Sequence, residues 1–225
     1  MSFANHRREL NHRQKELRNL LTQSTEIQCA FQCFLTLHGM LHSAQVAPDA
    51  PWSYEDLLLD HLDEQTYRTI PKGQEHSVVW IVWHLSRIED VTMNLLVAGR
   101  DQVFSQGGWH EKINAPFKHT GNGTGLDAAQ ALSERVDLSA LRDYRFEVGK
   151  ATRQIIPGLT HEDLNRKMDP LRLQRIIDED AVVEAGLGVV EYWSRRDVTG
   201  LLLMPPTRHA IVHWNEAHRL IQLQN

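Results

Sequence analysis

The sequence predicts an all-α fold, a bundle of long helices with shorter helical pieces between them. Apolar residues recur near the 3.6-residue period over long stretches, and no βαβ alternation of strands with helices appears. The breaks between those stretches carry proline or glycine. From about residue 6 to residue 46 there is no proline and, before Gly39, no glycine; Leu10, Leu17, Leu20, Leu21, Ile27, Phe31, Phe34, Leu35 and Leu41 mark one long amphipathic helix. Pro48, Pro51 and Trp52 end it, and Ser53 followed by Glu55 and Asp56 reads as the cap of a short helix stopping before Pro71. Residues 78–83, β-branched and aromatic, taken alone suit a buried strand. The pattern continuing to Leu95 and Leu96, with Gly99 as a stop, favours a second long helix with Trp80, Ile81, His84, Ile88, Val91 and Leu95 facing inward.

Residues 105–125 are glycine-rich and form a long connection of the kind that crosses over or carries function. Asp137 caps a third helix, 138 to about 156, stopped by Pro157 and Gly158. Residues 160–196 read as short helical pieces, and a last helix follows Pro205 and Pro206 at its entrance. No internal repeat, heptad run or low-complexity tract is present.

The chain of 225 residues suits one domain, 1–225, with 160–196 as a candidate insertion. With 41% hydrophobic residues it can bury a core. A net charge of −5 offers no broad basic face, so no nucleic-acid partner is expected. The first residues are polar, without an apolar signal region, and nothing approaches the roughly 20 apolar residues of a membrane span. Only two cysteines occur, Cys29 and Cys33, so the expected compartment is a reducing cytoplasm and no membrane partner is expected.

Thirteen histidines raise the prior for a metal site. His209 and His213 are spaced i, i+4, about 40° apart on a helix, so two imidazoles can converge on one divalent transition-metal ion. Position 210 is alanine, so this is no HExxH protease motif. Glu216 lies on the same face; fourth ligand, partner orienting an imidazole, general base and plain salt bridge all remain open to it. His218 falls roughly half a turn from His209 and is expected to face solvent. His84 stands mid-helix among Trp80, Ile81, Trp83, Leu85 and Ile88; a third ligand and a hydrogen-bonded core histidine both suit it. Cys29/Cys33 and His38/His42 form rival i, i+4 pairs, but nine residues separate the matching members, so they read as core thiols and polar histidines near a helix end. Residues 121–125, GNGTG, lack the Gly-Lys-Ser/Thr of a phosphate loop. There is no G-x-S-x-G elbow and no basic cluster beside either cysteine. Trp80 and Trp83 read mainly as core, with one ring free to line a pocket.

Residues 77–90, SVVWIVWHLSRIED, resemble the second-helix signature of the DinB/YfiT-like family, and residues 208–217, RHAIVHWNEA, resemble its last-helix motif. Pro51-Trp-Ser, the segment ending at Pro71 and Gly107-Gly-Trp are also similar, in order, over most of residues 8–220; residues 171–196 depart from the pattern. The resemblance implies a four-helix bundle, up-down-down-up with a long crossover. It also implies a three-histidine metal site at His84, His209 and His213, with Trp80, Arg87 and Glu216 lining the pocket or supporting the ligands. Zn or Ni is the ion expected at such a site. Three histidines leave coordination positions open, as in catalytic sites. By analogy with relatives the expectation is a metal-dependent S-transferase that uses a low-molecular-weight thiol, with a metal-dependent hydrolase or a non-catalytic stress-response binder as alternatives. A small-molecule substrate and a homodimer complete the expectation.

Overall fold

The computed structural model describes residues 2–23 and 26–224. Helices run in the order α1 (Phe3–Gln23), α2 (Ile27–Leu41), α3 (Tyr54–Leu59), α4 (Glu64–Arg68) and α5 (Val78–Glu89), the last continued by a π-helical segment, Asp90–Ala98. Then come α6 (Val103–Gln106), α7 (Trp109–Ile113), α8 (Leu126–Arg135), α9 (Leu138–Ile155), α10 (His161–Leu164), α11 (Pro170–Asp178), α12 (Leu187–Ser194) and α13 (Val198–Leu202). A second π segment, Met204–His209, leads into α14 (Ala210–Gln222). The fold is all-α, as expected; among the described residues the only β pairing is one isolated bridge, Lys167 with Asp197.

The centre of the bundle is α5 and its π continuation, where every residue from Val78 to Val97 is buried. A helix apolar around its whole circumference must be enclosed by others, and α9 and α14 pack against it directly. Ser77 starts it by accepting the Trp80 N–H (3.0 Å), and Gly99 stops it in the left-handed conformation at φ 66°. The last carbonyls of the π segment are covered by the region the sequence left hardest to read. Arg172 donates to Leu96 and Val97 (2.9 and 3.0 Å), and Arg166 donates to Val97 (2.9 Å).

The single long first helix is not what forms: α1 and α2 are separate and pack on each other. An unbroken helix of about 40 residues would be about 60 Å long, far beyond the core it must cover. Folding back lets Leu10, Leu17 and Leu21 of α1 and Phe34, Leu37 and Leu41 of α2 all be buried. The segment before Pro71 likewise holds two helices, because Asp63 caps a second start by accepting the Thr66 N–H (2.8 Å). The expected connection over 105–125 contains α7 and then runs irregular, and α8 precedes the third long helix. Asp137 caps that helix as expected, accepting the Ala140 N–H (2.8 Å).

A buried ion pair ties four elements together. Arg145 of α9 bonds Glu55 of α3 through Nε, and its Nη2 donates to the Leu41 carbonyl at the end of α2 (3.0 Å). The Trp214 indole of α14 donates to the same carbonyl (2.9 Å), and the Arg145 guanidinium lies 5.1 Å from the Trp214 ring. Arg145 and Glu55 are 1% and 3% exposed. No described helix is long and apolar enough to cross a membrane.

Candidate metal centre

Three imidazoles meet where α5 faces α14. One nitrogen from each of His84, His209 and His213 lies within 4.8 Å of the others. The ring centroids are separated by 5.0 Å (His84–His209), 4.9 Å (His84–His213) and 4.5 Å (His209–His213). His209 closes the π segment and His213 sits one turn into α14, so the two arrive on one face, while His84 comes from the middle of α5.

The outer partners fix the tautomers. His84 Nδ1 donates to the carbonyl of Thr120 (2.6 Å), which can only accept, so Nε2 carries a bare lone pair. His213 Nδ1 donates to Glu216 Oε2 (2.8 Å), leaving its Nε2 bare as well. His84 Nε2 points at His209 Nε2, 3.1 Å away. His209 Nδ1 is buried without a partner among the described residues. Burial, then the neighbouring His213, drive the His84 pKa down to about 3, although the Thr120 bond opposes them. Burial, His84 and His213 push His209 well below the ordinary histidine value. Neutral imidazoles with inward lone pairs are what a transition-metal ion requires, and a second partner on the other ring nitrogen is the usual companion of a ligating histidine. The donor set therefore fits a divalent ion.

Folding permits this because the 114–125 stretch threads close to α5. Thr120 is held by its own N–H to Ala181 O (2.9 Å) and by its hydroxyl to Asn122 (2.8 Å). Gly121 adopts φ +91°, and a Cβ there would lie 3.1 Å from the Trp80 ring. Gly121 and Gly123 of GNGTG thus serve a positive φ and a close approach rather than a phosphate.

Glu216 bonds two imidazoles at once, orienting His213 through Oε2 (2.8 Å). Its second oxygen bonds His76 Nδ1 (2.8 Å). Burial raises its pKa, but the bonds to His213 and His76 outweigh that and hold it down at about 2. Trp80 is placed beside the histidines, stacked between His76 (3.6 Å) and His84 (4.6 Å). His76 escaped the sequence reading, because its partner lies 140 residues away and no helical spacing connects them. Arg87 turns elsewhere: it donates to Lys118 O (2.9 Å) and Tyr144 OH (3.0 Å), pairs with Asp90 and stacks on Phe104. At i+3 from His84 it shares the helix but serves the packing of α9 and the loop. His218 does not face solvent freely but stacks on Phe3 at 4.1 Å.

A largely apolar cavity of about 230 Å³ adjoins His209, walled by Val189, Tyr192 and Trp193 of α12 and by Met204 and Pro205. A larger surface cleft, about 530 Å³ between residues 65–74 and α8, holds none of the three histidines. The rival pairs on α2 also resolve. Cys29 is exposed and Cys33 buried. The exposed Cys29 is not the core thiol expected, whereas His38 lies in the last turn of α2 and His42 caps it, at the helix end as expected but 0% and 1% exposed.

An all-α bundle with inward-facing histidines on two of its long helices is the class that fold and site define. The DinB superfamily matches residues 49–203, and the chain belongs to that superfamily. The matched stretch includes His84 and α12; His209 and His213 follow it. No curated protein matches the chain.

Two expected results test the outer partners. Glu216→Gln removes the carboxylate that orients His213 and is expected to weaken Zn²⁺ binding about 10–100-fold in a chelator-competition titration, with helix content unchanged. An unaltered affinity would assign Glu216 to packing alone. In metal-free protein, stability depends on pH through the histidines. His84 stays neutral to about pH 3 when folded and titrates near 6.5 when unfolded, so the unfolded state binds more protons between those values. The stability His84 contributes is complete above pH 6.5 and falls as pH drops towards 3. Glu216, at about 2 against an ordinary 4.5, loses its contribution only below pH 4.5. Urea midpoints should therefore decline between pH 6.5 and 4.5; a flat profile there contradicts the buried neutral imidazoles.

Proposed function

We propose that this protein is a metal-dependent enzyme of the thiol S-transferase type, using His84, His209 and His213 as an open divalent-metal site. The observation that carries the reading is the convergence of three imidazoles, one ring nitrogen of each within 4.8 Å of the others, with Nδ1 of His84 and Nδ1 of His213 each tied to an outer acceptor. A divalent ion there supplies Lewis acidity at its open positions, lowering the pKa of a thiol brought to it. The protein's own part is to hold the imidazoles neutral and oriented through Thr120 and Glu216, and to exclude water with Trp80 on one side and the α12 wall on the other.

Transfer is favoured over hydrolysis by the state of Glu216. Both its oxygens are engaged and its pKa lies near 2, so it is a weak proton acceptor for activating water at neutral pH. A thiol needs less help, being much the stronger acid. The apolar cavity beside His209 suits an electrophile with a hydrocarbon or aromatic body. The test is conjugation of a cellular thiol to a panel of hydrophobic electrophiles by Zn²⁺- or Ni²⁺-loaded protein, followed as thiol loss. Metal-dependent turnover with at least one thiol is expected. Stoichiometric metal without turnover across the panel would move the assignment to a non-catalytic binder.

A further inference from the structure

His38 and His42 stand one turn apart on α2, and both send Nε2 to the carboxylate of Glu89 on α5, at 2.8 and 2.9 Å. Thr152 of α9 donates its hydroxyl to Glu89 Oε1 (2.7 Å). All four side chains are buried, and one donor atom from each of His38, His42 and Glu89 lies within 4.8 Å of the others. The two rings stack with centroids 4.2 Å apart. Gly149 of α9 leaves room for them, since a Cβ there would sit 2.7 Å from His42 Nδ1.

Glu89 bonds His38, His42 and Thr152, and no lysine or arginine pairs with it among the described residues. Arg145 of the neighbouring α9 is already committed to Glu55. A carboxylate buried without a fixed cation beside it is costly unless a positive charge joins it. The Nδ1 atoms of both histidines are buried without partners among the described residues, so no outer hydrogen bond commits either ring to one tautomer.

We infer that His38, His42 and Glu89 form a second divalent-metal site, separate from the three-histidine cluster and structural in role, pinning α2, α5 and α9 together. Two imidazoles and one carboxylate are a ligand set for Zn²⁺ or Fe²⁺. With bonds of 2.0–2.1 Å, tetrahedral ligand edges are about 3.3 Å, so the side chains need to part by about 0.5 Å to admit an ion. A polar cavity of about 320 Å³, walled by Ser43, Asp60, Arg142 and Asp143, reaches His42 and gives a route from the surface. Three protein ligands leave a fourth position for a water, and burial of all three side chains keeps anything larger from it, which is why the role is structural.

The test uses the full chain with His209→Ala and His213→Ala together, so that the other cluster is disabled. The protein is stripped with chelator, reloaded with Zn²⁺ and analysed for metal, with a parallel Co²⁺ sample for visible absorption. One ion per chain and a melting temperature raised by Zn²⁺ are expected. Adding Glu89→Gln, which keeps size but removes the charge, should abolish both, while helix content shows that the fold persists. His38→Ala is the second variant, expected to lose the ion likewise. Absence of any ion in the doubly substituted protein overturns the inference and leaves a hydrogen-bonded tie. An ion retained in both Glu89→Gln and His38→Ala overturns it too, by placing the metal elsewhere. Wild-type content separates this result from the open-site reading, because loss of one cluster leaves the other's ion in place.

Discussion

Replacing His209 with alanine is expected to weaken binding at the three-histidine cluster by about two to three decades in Kd. The magnitude follows from sharing the roughly 10–16 kcal/mol of a four-ligand zinc site among its ligands, about 2.5–4 kcal/mol each, at 1.4 kcal/mol per decade. His213→Ala should match it, because both histidines sit on the same face of the last helix and neither is fully buried. His84→Ala should be worse for the fold, since it also strands the Thr120 carbonyl and opens a hole beside Trp80. Competition with a chromophoric chelator measures the affinity, and elemental analysis should show one ion fewer per chain. Equal affinity in wild type and His209→Ala would remove this cluster as a metal site, whatever the other holds.

Arg145→Ala is expected to cost about 3–5 kcal/mol of stability, the largest single loss in the bundle, because it leaves the Glu55 carboxylate buried and unpaired. That compares with a total of about 5–15 kcal/mol for a typical domain. Burial outweighs Arg145 in setting the Glu55 pKa, which lies above normal even with the partner present. Without the guanidinium, Glu55 must take up a proton or draw in water. The Leu41 carbonyl loses one of its two donors as well. Urea denaturation at pH 7 gives the loss directly. The double substitution Arg145→Met with Glu55→Leu should recover most of it, since apolar groups of similar volume can replace a buried pair at little cost. A single-variant loss below about 1 kcal/mol would mean that water reaches the pair.

What the sequence made legible follows the range of the interaction. The extents of α5 and α9, the cap at Asp137 and the stop at Gly99 depend on neighbours within a few residues, and all were readable. The His209/His213 pair was readable for the same reason, whereas His84 needed the family pattern. The break between α1 and α2 was not readable, because both halves keep one helical period and only the limited size of the core forces the turn. Nor were the π segments, which alter hydrogen bonding without changing the apolar content of the stretch. The burial of His38 and His42 was not readable, because their partner, Glu89, lies 51 and 47 residues on. Arg87 was read by its place in a motif, but a helix position gives a direction only to within a quarter turn, and here three acceptors lay the other way.

His84 and His209 are 125 positions apart in the chain. Bringing them together closes a long loop, and its entropy must be met before any contact across it contributes. The cluster therefore exists only while α14 is docked on α5. An ion that binds only this docked form stabilises it by mass action, RT ln(1 + [M]/Kd), and leaves α5 alone no tighter than before. An ion bound at this cluster would act as a latch on the last helix.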